Sequence, residues 1–322
     1  MSVETHASAM AEAQSLDELY PAFNAACFTA GWHKKRPSLW GFPRTEFRPM
    51  LWRYADGKLA LDRASEWIGT ELAERRNLLM FNPVGDNDYA TTPTLVCAYQ
   101  LIKPGEYARA HRHTPNALRI ILDAEPGVVT VVNGIKLPMV TGDIALTPGW
   151  TLHSHYNEGT ANAYWIDVLD VPLVHRLEPM FYERSSEQYQ KIETEPAESE
   201  FLFPMAWVRE QLEKEKLQPN GTRELVLRHS MPTMKLSYLQ FTRHGRTGQR
   251  RTTSSHIFSV MGGSGTVHFG AQSISFERGD VFATPGWAPY DIEAAENSLI
   301  FEVSDEPVFR MLGFYREQFG AS

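Results

Sequence analysis

The sequence predicts a mainly β protein made of two jelly-roll β-barrels in one chain. The phrase GDIALTPGW at 142–150 returns as GDVFATPGW at 279–287, and each copy is followed at a similar distance by a second shared phrase, DVPLVHRL from Asp170 and DEPVFRML from Asp305. Two shared phrases in the same order indicate an internal duplication. Short runs rich in Val, Ile, Phe, Tyr and Thr alternate with Gly and Pro turns in both halves, which is typical of antiparallel barrels.

The predicted elements follow this division. Strand runs in the first half are TLVCAYQLI, ALRIILDA, GVVTVVNG and NAYWIDVLD, and those in the second half are MKLSYLQF, HIFSVMGG, GTVHFGAQSISF and SLIFEVSD. Helical patterns occur in SLDELYPAFNAACF, with Ser15 as N-cap, in ASEWIGTELAERR and in PMAWVREQLEKEKL. We therefore expect an N-terminal helical region (1–85), a first barrel (86–175), a helical linker (176–221) and a second barrel with a C-terminal helix (222–322).

Composition limits the classes of function. The formal net charge of -8 argues against a nucleic-acid partner, because phosphate binding depends on clustered Lys and Arg, but it does not exclude a small anionic substrate. Cys27 and Cys97 are the two cysteines, so a disulfide framework is not expected and a reducing, cytoplasmic location is predicted. The sequence has no apolar run of membrane-spanning length and does not open with a signal-peptide pattern, so no membrane partner is expected.

Histidines at two places in the first half suggest a metal site. HRHTPNALRII begins with side chains that are costly to bury. If the whole stretch is one strand, His111 and His113 project from the same face. The later segment TPGWTLHSHYNEG offers His153 and His155 as sources of a third ligand. Arg119 lies in phase with the first pair, which predicts that it faces the same side.

The spacing of these residues resembles the two signature motifs of the cupin superfamily. The matching positions, in order, are Gly105, His111, His113, Gly142, Pro148, Gly149, His153 and Asn157. The usual pattern has a Glu a few residues after the second His, where this chain has Pro115, Asn116 and Ala117. The resemblance implies a bicupin with a three-His metal site that lacks the carboxylate.

Further phrases narrow the resemblance. HRHT followed by ALR, a PGW turn, a His-x-His pair and WIDVLDVPL are similar to the gentisate and salicylate 1,2-dioxygenase family. The resemblance implies that His111, His113 and His153 bind the metal and that His155 and Arg119 act in catalysis. It also implies a group of substrate contacts, namely Gln100, Arg119, His155, Val96 and Arg75 or Arg76.

Other roles are open for several of these residues. Arg119 either contacts the substrate or forms a structural ion pair with a carboxylate such as Asp167. His155 either reaches the substrate or orients a metal ligand. Cys97 and the tryptophans are expected to serve packing.

The second half lacks the metal-binding residues. Tyr290 stands at the position of His153, and the counterpart of HRHT reads RRTTSSH, with His256 out of register. We expect one metal per chain, with the second barrel providing support, pocket closure and subunit contacts.

The resemblance implies a ring-cleaving dioxygenase of extradiol type. Three neutral imidazoles leave positions on the metal for an ortho-substituted aromatic acid and for O2. Fe(II) is the expected metal, Mn(II) fits the same ligands, and no organic cofactor is required. Gentisate, salicylate, and salicylates or anthranilates bearing a 5-nitro, 5-halogen or 5-amino group are the expected substrates. Val96 and Asn116 depart from the family pattern and favour a substrate other than plain gentisate.

Two other classes of function share these features. A three-His site with one open position also suits a zinc hydrolase or hydratase. A cupin that binds an aromatic acid without catalysis is the other alternative. The family is commonly tetrameric, so a homotetramer is expected, with aromatic segments such as FNAACFTAGWHKKRPSLWGF crossing between subunits.

Overall fold

The computed structural model describes residues 3–69, 76–187 and 189–320, and the chain divides into two compact units at Pro43 and Arg44. The first unit contains helices α1 (Val3–Glu12) and α2 (Leu16–Ala25). α2 begins as predicted, because Ser15 has an extended backbone and its hydroxyl accepts a hydrogen bond from the Glu18 N–H at 3.2 Å. Across the described ranges, no helix has the length and apolar character needed to cross a membrane.

The second unit contains the remaining elements. In chain order these are β1 (Met50–Trp52), α3 (Tyr54–Ala64), β2 (Arg76–Leu79), β3 (Val96–Ile102), β4 (Tyr107–His113), β5 (Ala117–Asp123), β6 (Val128–Val132), β7 (Ile135–Pro138), β8 (Ile144–Thr147), β9 (His153–Asn157), β10 (Ala163–Leu169), α4 (Val171–Leu177), β11 (Tyr182–Arg184), β12 (Leu202–Phe203), α5 (Met205–Lys214), β13 (Thr222–Val226), β14 (Lys235–Phe241), β15 (Arg250–Thr252), β16 (His256–Gly262), β17 (Gly265–Phe269), β18 (Gln272–Phe276), β19 (Val281–Thr284), β20 (Asp291–Ala294), β21 (Ser298–Ser304), α6 (Glu306–Met311) and β22 (Glu317–Phe319).

These strands form the two predicted barrels. Barrel one has a six-stranded sheet, β12-β8-β5-β10-β3-β2, and a five-stranded sheet, β11-β4-β9-β6-β7. Barrel two has a six-stranded sheet, β1-β19-β16-β21-β14-β13, and two small sheets, β18-β17-β20 and β15-β22. The outward faces of the two six-stranded sheets share one hydrophobic core, to which barrel one contributes Ile120 and Ile166 and barrel two contributes Tyr238 and Phe301.

Two local predictions are wrong. HRHTPNALRII is two strands rather than one, because β4 ends at His113 and β5 begins at Ala117 in the other sheet. Pro115 interrupts the extended run, so the phase argument for Arg119 does not hold. The helix predicted over ASEWIGTELAERR is also wrong where the residues are described, since α3 ends at Ala64, residues 65–67 form turns and residues 68–69 are irregular.

Each barrel receives a strand from the segment that precedes the other barrel. β1, which precedes barrel one, pairs with β19 of barrel two, and β12, which precedes barrel two, pairs with β8 of barrel one. The repeated Gly-Asp phrase secures both exchanges. Asp280 accepts the Tyr54 N–H at the start of α3 (3.0 Å), and Asp143 accepts the Met205 N–H at the start of α5 (2.8 Å). This exchange binds the two barrels into one unit.

The second repeated phrase adds a reciprocal contact. Asp170 of barrel one accepts a hydrogen bond from the Thr233 hydroxyl of barrel two at 2.5 Å. Asp305 of barrel two likewise accepts one from the Thr94 hydroxyl of barrel one. The four-segment division given above stays a prediction, and its N-terminal and linker segments contain the two exchanged strands.

Candidate active site

Three predicted metal ligands come together at one end of barrel one. β4 and β9 pair antiparallel, and His111 lies directly opposite His153. One ring nitrogen from each of His111, His113 and His153 lies within 4.8 Å of the other two. The ring centroid of His153 is 4.4 Å from that of His111 and 4.9 Å from that of His113. The three imidazoles therefore form a candidate metal centre.

Backbone carbonyls fix the tautomers of these three rings. Each Nδ1 lies within hydrogen-bond distance of a carbonyl oxygen, and the acceptors are Arg109 for His111 (2.9 Å), Pro115 for His113 (2.8 Å) and Thr151 for His153 (3.0 Å). A carbonyl oxygen can only accept, so Nδ1 carries the hydrogen and Nε2 keeps its lone pair. The buried Nε2 of His153 makes no hydrogen bond to a described residue. This donor set fits a divalent transition metal.

The electrostatics of the centre keep His153 neutral. Its burial, followed by the charges of Arg119, His111 and His113, holds the pKa of His153 well below its usual range. A neutral imidazole is the form that binds a metal. Arg119 lies on β5 of the six-stranded sheet, and the triad lies on the five-stranded sheet of the same barrel.

A buried polar network lies beside the histidines. Asp167 is its centre: its Oδ1 lies 3.5 Å from the Arg119 Nε, and its Oδ2 accepts a hydrogen bond from the Gln100 amide. Arg119 also donates to the Thr147 hydroxyl at 3.1 Å. The ion pair that the sequence left open is thus present, and it orients Arg119 on the interior face of the barrel.

His155 is held by a different kind of partner from the three triad histidines. It is 1% exposed, its ring centroid is 5.7 Å from that of His153, and its Nδ1 is hydrogen bonded to the Thr130 hydroxyl. A hydroxyl can donate or accept, so this contact positions the ring without fixing the tautomer. Thr130 was not among the site residues predicted from the sequence. An alignment of the two repeats would have drawn attention to it, because Val267 and Ile292 occupy the paired positions of Thr130 and His155 in barrel two.

Val96, Arg75 and Arg76 are the other residues that were predicted to contact the substrate. Val96 is buried in β3 and shares its face with Gln100. Arg75 lies outside the described residues. Arg76 forms a bidentate ion pair with Glu106, with both N–O distances 2.7 Å, so its guanidinium is committed to that carboxylate.

Asn116 has a local structural role. Its side-chain amide donates to Asp170 at 3.0 Å and to the Thr233 hydroxyl at 3.0 Å, and its carbonyl oxygen accepts the Gly149 N–H at 2.9 Å. These contacts join the β4–β5 turn to the PGW turn and to barrel two. The departure at this position is therefore explained by packing.

Barrel two keeps the backbone of the site and changes its side chains. Arg250 pairs with Tyr290 in the place where His111 pairs with His153, and Thr252 takes the position of His113. His256 is buried, with Nδ1 2.6 Å from Glu302 and Nε2 2.7 Å from the Thr252 hydroxyl. In the part of the chain that the structure describes, the triad of barrel one is the single group of three metal-ligating side chains close enough to share an ion.

Comparisons with known proteins agree with this geometry. A family model described as a cupin domain matches residues 98–169, which include all three triad histidines. The 5-aminosalicylate 1,2-dioxygenase of Comamonas sp is 32% identical over 309 residues, with 86% of this chain and 83% of that protein covered. The chain belongs to the gentisate and salicylate 1,2-dioxygenase family of cupins. It is a ring-cleaving dioxygenase.

Other family members match over similar lengths. Gentisate 1,2-dioxygenase 1 of Aquipseudomonas alcaligenes is 30% identical, with 85% of this chain and 88% of that protein covered. The crystal structure of a salicylate 1,2-dioxygenase from Pseudaminobacter salicylatoxidans superposes with a TM-score of 0.87 at 25% identity, covering 95% of this chain and 97% of that one. The predicted bicupin fold of this dioxygenase is confirmed.

Proposed function

We propose that this dioxygenase opens an aromatic acid between the carboxylate-bearing ring carbon and its ortho hydroxyl- or amino-bearing neighbour. The substrate is gentisate, salicylate, or a 5-substituted salicylate or anthranilate, and both atoms of O2 enter the product. We class the cleavage as extradiol-type because the broken bond does not lie between two hydroxylated carbons. The observation that carries the proposal is the histidine triad, with its Nε2 lone pairs set by carbonyls, in the same barrel as the buried Arg119.

Fe(II) is the metal we propose, with Mn(II) as the alternative, held by His111, His113 and His153. When bound, the metal supplies open positions for an ortho-chelating acid and for O2 and couples their reaction. The three ligands are neutral, so an anionic substrate offsets the metal charge. His111 and His153 are buried, which limits the access of bulk water to the site.

Side chains around the triad would bind and orient the acid. Arg119, held by Asp167 and Thr147, presents its guanidinium to substrate charge, and Gln100 fixes the orientation of the ring. His155 is placed to move a proton to or from a substrate heteroatom. Val96 would border the ring, and Arg75 would supply a further positive charge.

Reconstitution tests this proposal. Metal-depleted protein loaded separately with Fe(II), Mn(II) or Zn(II) would be assayed for O2 uptake against gentisate, salicylate, 5-substituted salicylates and anthranilates. We expect one O2 per substrate with Fe(II) or Mn(II), loss of activity in His153→Ala, and retention in Tyr290→Phe, which alters the equivalent position of barrel two. Turnover with zinc but without O2 uptake, or tight acid binding without turnover, would contradict the proposal.

We also propose that the protein is a cytoplasmic homotetramer. Cys27 and Cys97 are free thiols, which suits a reducing compartment. Light scattering coupled to size exclusion tests the assembly, with four times the 36.5 kDa chain mass expected and a monomer contradicting it.

A further inference from the structure

The internal duplication provides a comparison within one chain. Strand register shows which positions of the two barrels are equivalent. In barrel one, Asp167 pairs with Ala98 on one neighbouring strand and with Arg119 on the other. In barrel two, Glu302 pairs in the same way with Ser237 and Phe258, so Asp167 and Glu302 occupy equivalent positions. Several polar or indole side chains inside barrel one have purely apolar counterparts in barrel two. The pairs are Gln100 with Leu239, Arg119 with Phe258, Thr130 with Val267, His155 with Ile292, and Trp165 with Ile300. The fold therefore does not require polar groups at these positions.

Trp165 belongs to this set, and it also packs in a hydrophobic cluster with Ile102 and Ile121, in agreement with the packing role predicted for it. It is 1% exposed, and its indole Nε1 is buried without a hydrogen bond to any described residue. Its ring centroid lies 6.2 Å from that of His155. Buried indole N–H groups normally have an acceptor, so this one calls for a partner that the described residues do not supply.

Gln100 provides a matching acceptor. It lies directly opposite Trp165 on the neighbouring strand and on the same face. Its Nε2 donates to the Asp167 carboxylate, which can only accept, so the amide orientation is fixed and Oε1 is left as the acceptor. That Oε1 is buried and has no hydrogen-bond partner among the described residues.

We infer that the Trp165 N–H and the Gln100 Oε1 recognise a hydroxyl or amino group on the substrate ring, distal to the metal-chelating groups. This inference rests on the proposed function and deepens it. A hydroxyl or an amino group both donates and accepts, so it satisfies both atoms at once. A nitro group or a halogen offers no donor, and an unsubstituted ring offers neither partner.

The depth of the pair suits this role. Gln100 and Trp165 lie one side-chain layer deeper along β3 and β10 than Asp167 and Arg119, a step of roughly 7 Å along a strand. In a substrate held by Arg119 and the triad, the distance from the metal-chelating groups across the benzene ring to a substituent on the far side is similar to this step. The subsite therefore favours gentisate and 5-aminosalicylate over salicylate and its 5-nitro and 5-chloro derivatives.

The test uses metal-loaded protein in two measurements. The first is anaerobic calorimetric binding of gentisate, 5-aminosalicylate, salicylate, 5-chlorosalicylate and 5-nitrosalicylate to the wild type. We expect the hydroxyl and amino acids to bind about tenfold or more tightly than the other three. Equal affinities would overturn the inference, whether or not the protein consumes O2. The proposed function, by contrast, fails only if O2 uptake is absent with every acid.

The second measurement compares Trp165→Phe with the wild type and with Trp207→Phe, a control in α5. Loss of the N–H should lower kcat/KM for gentisate and 5-aminosalicylate about tenfold, leave salicylate within threefold, and leave the metal content unchanged. An equal loss for all acids would show a structural role and overturn the inference. Preserved selectivity would overturn it as well.

Discussion

Asp305 should make the stability of the protein depend on pH, and Asp305→Asn should remove that dependence. The side chain is 1% exposed, its Oδ1 accepts the Ser255 N–H at 2.7 Å, and its Oδ2 accepts the Thr94 hydroxyl across the barrel interface. Burial raises the pKa of Asp305 from 3.8 to about 6, although these hydrogen bonds lower it. The folded protein therefore holds this proton more tightly than the unfolded chain does.

The sign and size of the effect follow from linkage. Because the folded pKa is the higher one, the stabilising contribution is fully present below the unfolded pKa and is lost as the pH rises through about 6. A difference of about two pKa units corresponds to about 3 kcal/mol of unfolding free energy. In a unit of this size that is a shift of about 5 to 10 °C in Tm.

Thermal denaturation from pH 4.5 to 8 measures this contribution. Asn keeps a carbonyl acceptor for Ser255 and has no ionisable group, so the Tm of Asp305→Asn relative to the wild type should rise with pH. The rise should be about two thirds of that amount, because the unfolded carboxyl is already largely deprotonated at pH 4.5. Asp86→Asn, which changes an exposed carboxylate, is the control. Parallel curves for the wild type and Asp305→Asn would refute the reasoning.

Three further predictions concern the fold and the site. Gly279→Ala should lower the free energy of unfolding by about 2 to 4 kcal/mol, because φ is +88° and the new Cβ would clash with the Tyr54 ring. An unchanged denaturation midpoint would contradict this. Thr130→Val should lower kcat about tenfold at unchanged metal content by releasing His155, while Thr130→Ser retains activity; equal kcat values in the two variants would argue against it. Arg119→Lys should raise KM for the aromatic acid about tenfold, because an ammonium lacks the planar fork; steady-state kinetics with an unaltered KM would exclude that role.

The duplication made most of the fold predictable. Strands such as β3, β10, β14 and β21 carry long apolar runs, and they form where expected. The exchanged strands β1 and β12 have only three and two residues, too few to show a period. Their positions depend on tertiary contacts, above all the capping of α3 and α5 by carboxylates far away in the sequence.

The site was predictable where it depends on spacing. His111, His113 and His153 come together as the motif implies, even though the single strand assumed for HRHTPNALRII is two. Sequence could not choose between the possible partners of Arg119, because that choice depends on the pairing of β5 with β10. The buried indole N–H of Trp165 also emerges only from packing, since its sequence context resembles that of a core strand.

The proposed reaction inserts both atoms of O2 into an aromatic acid. A single turnover of Fe(II)-loaded protein with gentisate under labelled ¹⁸O2, followed by mass spectrometry of the product, tests it most directly. We expect a ring-opened product that carries two labelled oxygen atoms. An unlabelled product with the ring intact, or an opened product whose added oxygen comes from water, would contradict it.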